Sequence, residues 1–251
     1  MSKPLISCIV PAFNGERYLG EALDSIFAQT YGPLEVLVVD DGSTDGTADL
    51  VTGYGDRVRS LFQPNAGQAA ARNRGLQAAH GEFVAFLDHD DLWHPEKLAR
   101  QMARFEVRPE LDLCVAHARN FWSPELPEVP PWLRGHSRFT QPVAAYTLGA
   151  LLARRSIFDA VGTFDPALPV GEDTDWFLRA VEHGPTIELL PDVLLHRRLH
   201  ETNRSWRSAA PTSTDRAIFA QIVKASLDRR RRLHPGAPPP LEYPRPDRAQ
   251  T

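Results

Sequence analysis

Two cysteines in 251 residues cannot support a disulfide framework. Both lie in apolar runs, Ile6-Ser7-Cys8-Ile9-Val10 and Leu113-Cys114-Val115, and read as small buried hydrophobes suited to a reducing compartment. Long apolar runs are missing too: no segment reaches the roughly 18 residues that suggest a membrane-spanning helix. Basic charge is not in excess. Lys and Arg total 28 against 32 Asp and Glu, a net charge of -4, so there is no positive field to neutralise a phosphate backbone and nucleic acid is excluded as the expected partner. The opening Met1-Ser2-Lys3-Pro4 runs into a short apolar strand without a signal core, and the expected location is the cytoplasm.

Short β-branched runs alternate with amphipathic stretches through the first half of the chain. That is the pattern of an α/β fold with a mostly parallel, Rossmann-like sheet flanked by helices. Leu5–Val10 has no alternation and reads as a strand buried on both faces. Glu16–Ala28 places Leu19, Leu23, Ile26 and Phe27 on one helical face. Further strands are expected at Leu34–Val39, Val58–Phe62, Glu82–Leu87 and Leu111–Ala116, with helices at Gln68–Ala79 and from about Pro95 to Val107.

From Phe121 to Pro142 the periodicity fails among five prolines and four large aromatics, which reads as a long loop, either a lid or disordered. Regular structure returns at Thr147–Ala153. A short helix capped by Ser156 and ended by Gly162 follows, then a helix over Asp173–His183 with Trp176, Phe177, Ala180 and Val181 inward. Strand-like runs at Thr186–Leu190 and Val193–Leu199 precede a terminal helix over Thr214–Leu233. The organisation is one domain over residues 1–207, with halves near 1–116 and 117–207, then a helix within 208–233 and a Pro-rich tail, 234–251, too polar to bury a core.

Chemistry gathers where strands end. Pro11-Ala12-Phe13-Asn14 follows the first strand and Asp40-Asp41-Gly42-Ser43 the second, at the edge where open α/β sheets bind ligands. Asp40 and Asp41 are expected to emerge at the sheet rim, or to form a turn with Asp41 or Ser43 as a helix cap. Arg72, on an Ala-rich helix, could reach an anionic ligand or a polar base edge, while Arg74 reads as solvated.

In Asp88-His89-Asp90-Asp91, three carboxylates in four residues repel one another and call for a cation or donors. A divalent ion such as Mn²⁺ or Mg²⁺ shared with substrate phosphates would supply one. The bland alternative is that Asp91 caps the next helix and the others are solvated. Glu172, Asp173 and Asp175 open a helix, where the macrodipole alone favours negative charge, but a carboxylate there could also serve as a general base. His196 and His200 sit in a polar cluster with Asn203 and Arg197; His200 is the better candidate for a metal or a diphosphate.

These segments together resemble the family 2 glycosyltransferases of the GT-A fold, over Ile6 to about Ser205. The likeness is carried by Val10–Asn14, Val39–Asp45, Asn65-Ala66-Gly67 with Ala71-Arg72-Asn73, Gly81–Phe83 leading into Leu87–Asp91, and Val161–Asp165 before Gly171-Glu172-Asp173. The resemblance implies an inverting transferase moving a sugar from a nucleoside-diphosphate donor, UDP by family analogy, to a hydroxyl acceptor in polysaccharide or glycoconjugate synthesis. It implies Pro11, Phe13, Asn14, Asp41 and Arg72 around the nucleotide, Asp88 on the ribose or nucleotide, Asp90 as metal ligand with His200 beside it, and Asp173 as base. No Gln-x-x-Arg-Trp segment occurs, so a non-processive enzyme is expected. Arg229–Arg232 could touch the inner face of an anionic membrane or complement the helix dipole. A non-catalytic nucleotide-sugar-binding module is the main competitor. A sugar nucleotidyltransferase would want a Gly-rich basic loop, which Pro11–Arg17 is not.

Overall fold

A computed structural model describes residues 3–126, 141–201, 203 and 213–233. In chain order the elements are β1 (Ile6–Ala12), α1 (Leu19–Phe27), β2 (Leu34–Asp40), α2 (Thr47–Thr52), β3 (Arg59–Phe62), α3 (Gln68–Ala78), β4 (Phe83–Phe86), β5 (Leu92–Trp93) and α4 (Lys97–Val107). They continue with β6 (Leu113–Trp122), β7 (Val143–Ala144), β8 (Leu152–Arg154), α5 (Ser156–Val161), α6 (Glu172–Glu182), β9 (Ile187–Leu199) and α7 (Ser213–Leu233). All but β7 lie along one path, β3-β2-β1-β4-β8-β6-β9-β5, and β7 pairs with β6.

All seven residues of β1 are buried because helices cover both faces of the sheet. Ile6, Cys8 and Val10 face one core with Leu19, Leu23 and Ile26 of α1; Ile9 faces the other, with Leu37, Val84, Phe86 and Trp176. Gly75 lets α3 close on β1, since a Cβ there would meet Ile9 Cγ2 at 2.4 Å. Cys8 and Cys114 are free and buried as expected.

The parallel expectation holds for β3-β2-β1-β4, all parallel. Beyond β4 the sheet is mixed: β8 runs antiparallel to β4 and β6, β7 to β6 and β5 to β9, while β9 pairs parallel with β6. The two runs expected at 186–190 and 193–199 form the single strand β9, which continues through Pro191 and Asp192 opposite a register shift near His117. The stretch from Phe121 is still strand at first, because Phe121 and Trp122 pair with Arg198 and Leu199; residues 127–140 lie outside those described. So does the tail 234–251.

Some local expectations are corrected. Val181, expected inward, is 52% exposed, while Trp176, Phe177 and Ala180 are buried. Ser156 makes no capping hydrogen bond, and α5 starts from Arg155. Asp91 does not cap α4, whose flanking residue is Glu96; it accepts a hydrogen bond from Arg198 N at 2.9 Å. Arg229 is committed to α6 through Glu182 at 2.8 Å, which withdraws it from the basic run proposed to face a membrane. Among the described residues no helix is long and apolar enough to cross a membrane.

Candidate active site

The carboxyl ends of β1, β2, β3 and β4 open on one side of the sheet, and the loops that follow line a cleft of about 1010 Å³. Every candidate from the sequence lines it: Pro11, Phe13, Asn14, Asp41, Arg72, Asp88, Asp90, Asp173 and His200. His196 does not; it pairs with Leu92 on β5, where burial lowers its pKa, with His94 and Arg119 adding to the effect.

Asp40 and Asp41 do not emerge at a solvated rim. Both are buried, and their carboxylates organise loops. Asp40 Oδ1 accepts from Ser43 N at 2.8 Å. Asp41 accepts from Gln63 Nε2 at 2.7 Å, Ala66 N at 2.9 Å and Gly67 N at 2.8 Å, and so draws the loop before α3 against the cleft. Asn14, at φ 51, ties the first loop to the second: its Oδ1 accepts from Thr44 N at 2.8 Å and its N donates to Ser43 Oγ at 2.9 Å. Phe13 is held at the mouth, 44% exposed.

The acidic segment is divided by its partners. Asp88 Oδ1 accepts from Gln68 Nε2 at 2.8 Å and Arg72 Nη2 at 2.7 Å. Asp90 Oδ2 accepts from Asn203 Nδ2 and lies against His200 Nε2, both at 2.9 Å. Burial works to raise the Asp90 pKa, but the hydrogen bond to His200 and the nearby charges of His89 and His200 outweigh it and the net shift is downward. Asp91 moves the other way, raised well above the usual carboxylate range by burial and then by the charges of Asp90 and Asp88. Arg72 does not reach into open space. Its side chain is buried, with Nη1 on Glu172 Oε1 at 2.9 Å opposite the bond to Asp88.

The far wall is carried by α6. Trp176 is fully buried, stacked on Phe158 at 4.6 Å between centroids, and donates Nε1–H to Gly162 O at 2.9 Å. Gly171, with φ 79, turns the chain into the helix; a Cβ there would meet Phe219 of α7 at 2.9 Å, and the left-handed φ would be strained for other residues. The turn leaves Asp173 lining the cleft with its Oδ1 accepting from Thr174 N at 2.7 Å. The first two of the three acidic residues that open α6 therefore differ. Both line the cleft, but Glu172 is buried and ion-paired with Arg72, while Asp173 is partly exposed and bonded to its neighbour Thr174.

Sequence reasoning missed Gln63 and Gln68 as partners of Asp41 and Asp88. Gln68 stands four residues before Arg72 on the same helix face, a spacing that could have revealed it; Gln63 offered no such signal. Among the described residues no three His, Cys, Asp or Glu side chains group closely enough to hold a metal unaided. Asp90 with His200 offers one carboxylate and one imidazole, a set that suits Mn²⁺ or Mg²⁺ if phosphate oxygens complete the sphere.

A protein of Rickettsia typhi described as an uncharacterized glycosyltransferase is 30% identical over 238 residues, 88% of this chain and 72% of that protein. Two solved structures share the fold at 25% identity. TarS 1–349 of S. aureus in complex with UDP-GlcNAc matches with a TM-score of 0.70 over 87% of this chain and 65% of its own. The mannosyltransferase PcManGT of Pyrobaculum calidifontis, in complex with GDP-Man and Mn²⁺, matches with a TM-score of 0.68 over 95% and 67%. The chain thus spans 72%, 65% and 67% of these three proteins. The family model for Glycosyl transferase family 2 matches residues 7–164, which run from β1 through the acidic segment to the loop before α6, and the chain belongs to that family.

Proposed function

We propose that the chain is an inverting, non-processive glycosyltransferase that moves a sugar from a nucleoside-diphosphate donor, UDP-linked, to an acceptor hydroxyl on a carbohydrate or lipid-linked substrate. The observation that carries this reading is the convergence on one cleft of Asp88 and Asp90, inside the matched region 7–164, with Asp173, which follows it in the chain. The solved neighbours, complexed with UDP-GlcNAc and with GDP-Man and Mn²⁺, support the donor class.

Pro11 and Phe13 border the base, and Asp41 shapes that pocket through the loop at 63–67. Asp88, with one oxygen held by Gln68 and Arg72, presents the other towards the ribose or sugar hydroxyls. Asp173 accepts the proton of the acceptor hydroxyl, whose oxygen bonds to the anomeric carbon as the bond to the diphosphate breaks and its electron pair leaves with the diphosphate. Attack from the face opposite the leaving group inverts the anomeric carbon. A divalent cation held by Asp90 and His200 would neutralise charge on the departing diphosphate. Arg197, also lining the cleft, adds positive charge at the same end.

The test is a panel of nucleotide sugars with Mn²⁺ or Mg²⁺, following release of nucleoside diphosphate. Absence of binding and release for every donor, with and without metal, would refute the reading.

A further inference from the structure

The side chain of Arg72 is 4% exposed, and its two terminal nitrogens point at carboxylates from different parts of the chain. One is Asp88, after β4; the other is Glu172, 84 residues later at the first position of α6 and 7% exposed. A buried guanidinium needs such partners, and losing one leaves an uncompensated charge. Asp88 is freer, 31% exposed, and its carboxylate is held by Arg72 and Gln68, both on α3. Its orientation therefore depends on where Arg72 is held.

Glu172 could owe its place to the helix dipole alone, which favours an acidic residue in the first turn. A side chain serving that purpose would face water. Glu172 is instead buried and paired with Arg72 in the cleft wall, where the next residue in the chain, Asp173, stands partly exposed. The Arg72 guanidinium also lies 5.9 Å from the centre of the Phe164 ring, in the aromatic cluster that fixes α6. Glu172, Arg72 and Asp88 thus form a charged relay between the helix that carries Asp173 and the donor end of the cleft.

We propose that Glu172 is a positioning residue for donor binding: by holding Arg72 it sets Asp88, so that a carboxylate beside the acceptor base governs affinity for the nucleotide sugar. This rests on the functional reading above. It predicts that the loss from removing the Glu172 charge is carried largely by Arg72, and so falls well short of additive once Arg72 is gone.

The test is calorimetric binding of UDP and GDP, with Mn²⁺, to the full chain carrying Glu172→Gln, Arg72→Met, both changes, or Arg72→Lys, together with steady-state kinetics of any donor the wild type uses. Glu172→Gln is expected to weaken nucleotide binding about 10-fold and to raise donor KM, with acceptor KM unchanged. The loss in the double variant should fall well short of the sum of the two single losses. Arg72→Lys, which keeps the charge but loses the two-pronged fork, should lose affinity as Glu172→Gln does. Unchanged binding in a folded Glu172→Gln protein, or losses that simply add in the double variant, would overturn the proposal and leave the transferase reading standing. Should Glu172→Gln fail to fold, wild-type affinity in Arg72→Lys would overturn it equally. Failure of the wild type to bind either nucleotide or turn over any donor would instead bring down the functional reading, and this one with it.

Discussion

On the proposed donor wall of the cleft Asp41 accepts three hydrogen bonds and Asp88 two, whereas on the proposed acceptor wall Asp173 accepts, among the described residues, from its own neighbour Thr174. The donor wall is built from loops at the ends of parallel strands, tied to one another before any ligand arrives. The acceptor wall is one helix end, anchored from below by Trp176 and crossed by α7 at Gly171. Recognition of a nucleotide benefits from carboxylates already fixed, because ordering is then not a cost of binding. A general base must instead keep an oxygen available for a proton. The difference in bonding fits that division of labour.

The largest effect expected from testing this contrast is with Asp173→Asn, which should lower the transfer rate by roughly 10²–10⁴-fold while nucleotide affinity by calorimetry stays within about twofold. A comparable loss of nucleotide affinity would erase the distinction between the walls.

A separate effect comes from a buried lysine on α4. Lys97 Nζ donates to Gln101 Oε1 at 2.9 Å and to Leu151 O at 3.1 Å, just beyond the turn at Leu148–Ala150, and burial pushes its pKa from 10.5 to about 7 against the opposing influence of Cys8 and Cys114. Between those values the unfolded chain binds a proton that the folded chain does not, so stability rises with pH across the window and the penalty is full below about 7. The span is on the order of a few kcal/mol. Thermal melting from pH 6 to 8, below the range in which the buried Cys8 and Cys114 thiols, pushed up from 9.0 to about 12, oppose it, should show the rise in the wild type, and Lys97→Met should flatten it; an unchanged slope in the variant would remove Lys97 as its source.

Asp41→Ala should cost about 2–3 kcal/mol by chemical denaturation, since it strands the buried amide of Gln63 and the N–H groups of Ala66 and Gly67, and should also weaken nucleotide binding. Lost affinity without lost stability would mean that Asp41 acts by direct contact and not through the loop. The smallest effect is expected for Phe13→Ala. A half-exposed ring at the mouth contributes ~1 kcal/mol to holding a base, so nucleotide Kd should rise several-fold with melting temperature unchanged.

Much of this was legible in local pattern. The unbroken apolar run of β1 and the 3.6-residue spacing of Leu19, Leu23 and Ile26 are properties of neighbouring residues, and most motifs that carried the family likeness follow a strand or open a helix. The acidic segment announced itself as a place needing compensation. Its compensation was not legible: Asp90 is met by His200 and Asn203, 110 and 113 residues further on, and Asp91 by the backbone of Arg198, which no periodicity relates to it. The two-residue strand β5 is too short to leave a pattern and exists because β9 passes beside it. Glu172 looked like one of three interchangeable charges at a helix start until the sheet brought Arg72 against it.

Local spacing was therefore enough for the alternation of strands and helices, for the edge of the sheet that carries the chemistry and for the residues gathered there, because backbone periodicity and turn chemistry act over a few residues. The mixed pairing beyond β4, the separate duties of Asp88, Asp90 and Asp91, and the link from Glu172 to the donor wall were settled by folding. Buried charges take their partners from whatever the topology places within hydrogen-bond reach, here residues separated by as many as 177 positions, as for Arg198 and Glu21.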